Sequence, residues 1–222
     1  MSTLFNSLLI LHVFSGTATL IASIIAIASK LTDSAHKWHV VSGRVFFYGM
    51  AGIFVTALGM SLIRLNPPML FVSIFSFYFV WMGRRYALNR VGAPSGLDKV
   101  VVPFMAVVFA AMSVYGLAAL YLLEQSFGVV IVVFGVIGVL NAWGDLQLAR
   151  KGGAKGRLRI AEHLGKMLGG TIAAVTAFLV INVDFGPAIV VWLAPTFVLT
   201  PLIVVWSRKI NQGVKRKGMG EA

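Results

Sequence analysis

Arg150-Lys151-Gly152-Gly153-Ala154-Lys155-Gly156-Arg157-Leu158-Arg159 packs five basic residues and three glycines between two apolar runs, Phe127–Leu148 and His163–Val183. Each run is close to the roughly 20 residues that cross a hydrocarbon core of about 30 Å. A basic glycine turn between two such runs reads as a hairpin of membrane helices with its loop on the cytoplasmic side. Working outward, five more apolar runs appear: Leu4–Ser29, Val45–Ile63, Met69–Met82, Val100–Leu123 and Pro187–Trp206. The gap after the first run holds Lys30, Lys37 and Arg44, the gap after the third holds Arg84, Arg85, Arg90 and Lys99, and the tail holds Arg208, Lys209, Lys215, Arg216 and Lys217. The alternate gaps hold Arg64, Glu124 and Asp184.

Positive charge in every second gap predicts an all-α integral membrane bundle of seven transmembrane helices, N-terminus out and C-terminus in. The seven-helix domain is expected over 1–207, followed by a basic cytoplasmic tail over 208–222. The third run is short unless Arg84, Arg85 and Tyr86 snorkel from its end. With 59% hydrophobic and 12% charged residues in 222, the spans use most of the chain and leave no room for a soluble domain. The net charge of +12 falls on one membrane face, where it sets topology and meets anionic lipid, so nucleic acid is not an expected partner. The chain has no cysteine, which excludes disulfides, thiolate metal sites and cysteine nucleophiles. No Lys or Arg precedes the first apolar run, so Met1–Ser29 is expected to be a retained span. The expected location is a bacterial plasma membrane.

Small residues recur at helix-interface spacing: Gly49, Gly52, Thr56 and Gly59; Gly135, Gly138 and Ala142; Gly165, Gly169, Ala173 and Thr176; and His12, Gly16, Thr19 and Ser23. Such stripes let helix backbones approach closely in lipid, and packing alone accounts for them. Ionisable residues inside spans are costly and mark candidate sites. Here they are His12, His39, Asp145 and His163, with Asn141 as a neutral companion and His36 in the nearby loop. Asp145 lies nine residues before Ala154 and His163 nine after it. In an antiparallel hairpin the two come level, so the carboxylate is expected to face the imidazole and set its tautomer. His39, near the inner start of the second span, is expected at the same depth. His12 lies 17 residues from Ser29, roughly 25 Å further out, and is expected to act separately or only to hydrogen-bond within the bundle.

Three segments carry a resemblance: Leu11-His12-Val13-Phe14-Ser15-Gly16, His39-Val40-Val41-Ser42-Gly43-Arg44, and His163-Leu164-Gly165-Lys166-Met167 running into Ala173–Asn182. Through them the chain resembles a family of bacterial multi-pass membrane proteins of unknown function. The resemblance covers most of the chain and implies a helical membrane fold with shared histidine positions, but no activity. Lys166 stands where the pattern leads one to expect arginine, which keeps the charge.

Four functions compete. In a membrane redox protein, one b-type haem lies between His39 and His163, with Asp145 nearby and with Arg44 and Lys166 placed to meet a propionate, a quinone head group or lipid phosphate. Electrons would come from a quinone or a partner protein, because the chain has no dinucleotide fingerprint. In a metal-centred enzyme, His36, His39, His163 and Asp145 or Glu162 offer nitrogen and oxygen ligands for a divalent ion. In a proton-coupled transporter, Asp145, His163 and His12 relay protons between the faces. The fourth is a non-catalytic assembly subunit.

Overall fold

The computed structural model describes residues 2–31, 36–183 and 186–218. Asp184 and the end of the basic tail lie outside the described residues, as do the side chains of Lys215, Arg216 and Lys217. The chain folds into α1 (Ser2–Leu31), α2 (His36–Arg64), α3 (Pro67–Leu88), α4 (Gly96–Tyr121), α5 (Gly128–Arg150), α6 (Gly156–Asn182) and α7 (Ala188–Gly218), with no strand among the described residues. Six of these contain segments long and apolar enough to cross a membrane: Thr3–Lys30, His36–Arg64, Gly96–Tyr121, Gly128–Arg150, Gly156–Asn182 and Ile189–Ile210. The chain is a multi-pass helical membrane protein.

The exception, α3, explains itself by where it lies. Its 22 residues, about 33 Å of helix, include two prolines, two serines and the Arg84-Arg85 pair, which lower its mean apolarity. It lies at the centre of the bundle, touching α2, α4, α5 and α6, so it meets protein where the outer helices meet lipid. Phe75, Tyr78, Phe79, Val80 and Met82 are all buried there. Phe75 stacks on Phe134 of α5 at 5.0 Å and meets Phe109 of α4 edge-on at 5.9 Å. Asn66 starts the helix by accepting from the Met69 amide at 3.2 Å, with proline in the first turn where no amide is missed.

The snorkelling expected at the end of α3 is only partly what happens. Arg84 lies over the Phe47 and Tyr48 rings of α2, at 4.1 and 5.3 Å. Arg85 forks onto Asp98, through Nε at 2.9 Å and Nη2 at 2.6 Å. Asp98 also completes a capping box with Ser95 at the start of α4. Tyr86 turns inward instead. From α6, Arg159 donates to the Tyr86 and Ala87 carbonyls at 2.9 and 2.6 Å, satisfying acceptors that the end of α3 leaves open. Arg85 and Arg159 therefore tie helices together.

The small-residue stripes are mostly packing surfaces. Gly49 and Gly52 receive Thr19 and Ser15 of α1, Gly135 and Gly138 receive Ser113 and Phe109 of α4, and Gly169 and Gly170 receive Phe79 and Val80 of α3. Gly16 and Gly165 are looser: a methyl would meet nothing within 4 Å at Gly16 and only Ile203, at 3.7 Å, at Gly165. Two loops also lock at glycine. Gly92 and Gly153 adopt φ of 88° and 84°, and a side chain on Gly153 would fall onto the Gly92 carbonyl. That contact joins the α3–α4 and α5–α6 turns.

Candidate functional site

Asp145, almost wholly buried, accepts three side-chain hydrogen bonds. Its Oδ2 accepts from Lys166 Nζ at 2.6 Å and from the Tyr78 hydroxyl at 2.5 Å, and its Oδ1 accepts from the Tyr86 hydroxyl at 2.7 Å. Asp145 is 3% exposed and Lys166 2%, so both charges are held out of solvent. Lys166 Nζ also reaches Asn141 Oδ1 at 3.3 Å and lies 5.4 Å from the centres of the Tyr78 and Phe79 rings. A buried ion pair survives only when hydrogen bonds satisfy its remaining lone pairs and protons, and here three donors converge on one carboxylate. Tyr78 and Tyr86 are eight residues apart on α3, about two helical turns, which puts both hydroxyls on one face. That spacing was available in the sequence; their common partner was not.

The expected pairing of Asp145 with His163 is replaced. His163 gives Nδ1 to the Gly83 carbonyl of α3 at 2.8 Å, and the carboxylate is held by lysine and two tyrosines. The physical reason lies in the packing. α5 packs on α4 and α3, and α6 on α3 and α7, with no close backbone contact between α5 and α6. A lysine is long enough to bridge that gap, and Lys166 follows His163 by three positions on the same helix. The imidazole turns to the nearer α3. Lys166 is accordingly a buried partner of Asp145 and not a surface topology charge.

His39 and His163 do come together. Their ring centroids are 6.3 Å apart and their planes stand at 89°. His39 uses Nδ1 on the Ala26 carbonyl of α1, at 3.0 Å. A carbonyl only accepts, so each Nδ1 carries a proton, and in the neutral form of either ring Nε2 keeps its lone pair for something else. Metal-ligating histidines have this arrangement, one nitrogen anchored to a backbone carbonyl and the other free. Two imidazoles on opposite sides of one metal, each about 2.0–2.1 Å from it, would have ring centres roughly 6 Å apart.

The larger metal set is not assembled. His36 is exposed at the start of α2, and Asp145 is committed to Lys166. Among the described residues no group of three or more His, Asp or Glu stands where it could hold a metal ion. Arg44 is exposed on α2. His12 is apart from the pair, with Nδ1 2.9 Å from Thr56 Oγ1. The Thr56 hydroxyl also reaches the Gly52 and Ile53 carbonyls, at 2.7 and 3.0 Å, and the His12–Thr56 contact holds α1 to α2.

Between α5 and α6 the missing backbone contact leaves a cleft of about 380 Å3. Asn141, Asp145, Gln147, Lys151, Glu162 and Lys166 supply its polar lining. Comparison with known proteins finds no matching family model, no matching curated protein and no matching solved structure.

Proposed function

We propose that this chain is a membrane redox protein that holds one b-type haem between His39 and His163. The observation that carries the reading is the neighbouring pair of half-buried imidazoles, ring centroids 6.3 Å apart, each anchored through Nδ1. Haem suits this pair better than a bare divalent ion. The porphyrin supplies four nitrogens itself and asks the protein for two axial ligands, whereas a structural or catalytic metal ion needs three or four protein ligands. Bound there, haem would exchange one electron at a time with a quinone or a partner protein. The same reading takes the bundle as seven crossings of a bacterial plasma membrane, N-terminus outside, with α3 as the interior crossing and lipid as its surroundings.

The test is the optical spectrum of the full chain purified from cells supplied with haem precursor. A Soret band with sharp reduced α and β bands is expected from wild type and from His12→Ala. His39→Ala and His163→Ala should each lose it. A folded wild-type protein with no haem absorbance, before or after reconstitution with haemin, overturns the reading.

A second reading, a proton-coupled transporter, is favoured by one observation: the buried Asp145–Lys166 pair lines a cleft. Proton flux into liposomes holding the protein, compared with Asp145→Asn liposomes, tests it. Equal flux in both removes this alternative.

A further inference from the structure

The cleft between α5 and α6 has an unusual distribution of charge. Asp145 and Lys166 at its inner wall satisfy each other. Two lining charges have no side-chain hydrogen bond or direct ion pair in the structure: Glu162, half-buried on α6 one turn before Lys166, and Lys151, exposed at the end of α5. Their heights differ. Lys151 immediately follows α5, while Glu162 is six residues into α6, about 9 Å along the helix. The carboxylate therefore lies deeper and the ammonium stands at the mouth. Leu140 and Leu148 supply apolar wall, and Asn141 and Gln147 supply amides. Gly144 adds no side chain, and a methyl there would meet nothing within 4 Å, so the cleft is open along this line.

We propose that this cleft binds a small zwitterion, with its ammonium on Glu162 and its anionic group at Lys151. A volume of about 380 Å3 lies within the range of small-molecule sites, roughly 300–1,000 Å3. Ligand charge can be argued from the surroundings. The turn beside the cleft carries Arg150, Lys151, Lys155, Arg157 and Arg159, so a simple organic cation meets repulsion on approach. A simple anion meets the unpaired Glu162 inside. A molecule carrying both charges meets neither penalty, and its two ends match the two unpaired groups in order of depth. The shared chemistry is an ammonium a few bonds from an anion, and it has two sources: a free cytoplasmic solute, or the head group of phosphatidylethanolamine entering sideways with its ammonium folded back below its phosphate. This site stands apart from the histidine pair and does not depend on haem.

The experiment uses the purified full chain with two probes. O-phosphoethanolamine is titrated against the protein in detergent free of ethanolamine lipid, with binding read by calorimetry. In parallel, nanodiscs of mixed phosphatidylethanolamine and phosphatidylglycerol are examined by native mass spectrometry for the lipid that stays bound. Saturable binding of the soluble probe supports the free-solute source, and selective retention of phosphatidylethanolamine supports the lipid source. Glu162→Gln and Lys151→Gln should each weaken whichever probe binds by about tenfold or more, a loss of roughly 1.4 kcal/mol at tenfold. Both positions border the open cleft, and an unchanged melting temperature without ligand shows that each variant folds. The exchanged double variant Glu162→Lys with Lys151→Glu should bind better than Glu162→Lys alone. Failure of both probes to bind wild type overturns the proposal, as does wild-type binding by Glu162→Gln.

Discussion

Lys166 Nζ lies 2.6 Å from Asp145 Oδ2, and the two side chains are 3% and 1% exposed. This ion pair spans the one neighbouring pair of helices in the chain's second half that do not pack backbone to backbone, α5 and α6. Tyr78 and Tyr86 bring α3 into the same contact. One carboxylate thereby links three helices.

Removing either charge should cost more than removing both. Asp145→Leu leaves a buried ammonium, and Lys166→Met leaves a buried carboxylate. Each single change is expected to destabilise the protein by about 3–5 kcal/mol, because an uncompensated buried charge is stranded. The double variant should recover a large part of that loss. Denaturant or thermal unfolding in detergent measures the cycle; additive losses would mean that the two groups do not interact.

The tyrosine hydroxyls donate to an ionised acceptor, so their loss should be felt. Tyr78→Phe and Tyr86→Phe are each expected to cost about 1.5–3 kcal/mol. Tyr115, whose ring packs on Phe71 at 5.4 Å, provides the control. Unfolding midpoints of the three phenylalanine variants give the comparison. Equal midpoints across the three would show that Asp145 draws no stability from its tyrosine donors.

Close approach of α4 and α5 depends on a missing side chain. A methyl on Gly138 would lie 2.5–2.8 Å from three atoms of the Phe109 ring, which is wholly buried. Gly138→Val should therefore force α4 and α5 apart and destabilise by about 1–3 kcal/mol or more. Gly144→Ala, which meets open space on the same helix, should be neutral or slightly stabilising. Parallel melting curves would expose a failure if both variants behave alike.

Topology is testable without purification. Reporter fusions after Ser126, between α4 and α5, and after Gly218, at the end of α7, are expected on opposite sides of the membrane. An alkaline phosphatase signal should come from the first and a green fluorescent protein signal from the second. Reporters on the same side would remove the seven-crossing topology.

Helix number, order and approximate limits were readable in the sequence, because lipid demands long apolar runs and each run declares itself without reference to its neighbours. The glycine stripes at Gly49, Gly135 and Gly169 also announced tight interfaces, since a missing side chain is a local property. So did the hairpin turn around Gly153. Depth put His39 and His163 near the same end of the bundle, and the packing of α2 and α6 against α3 brought their rings together. Other features depended on which helices pack side by side, and apolar runs do not specify their neighbours. The central place of α3 is one such feature: its apolar run looked short for a span, and the structure sets its 22-residue helix against four others. The partner of Asp145 is the other. Linear spacing put Asp145 level with His163, but only the gap between α5 and α6 and the rotation of each helix decided that the longer Lys166 would reach the carboxylate while His163 turned to Gly83. Hydrophobicity sets depth in a membrane one helix at a time; azimuth, and with it the identity of every buried polar partner, is settled by the packing of all the helices together.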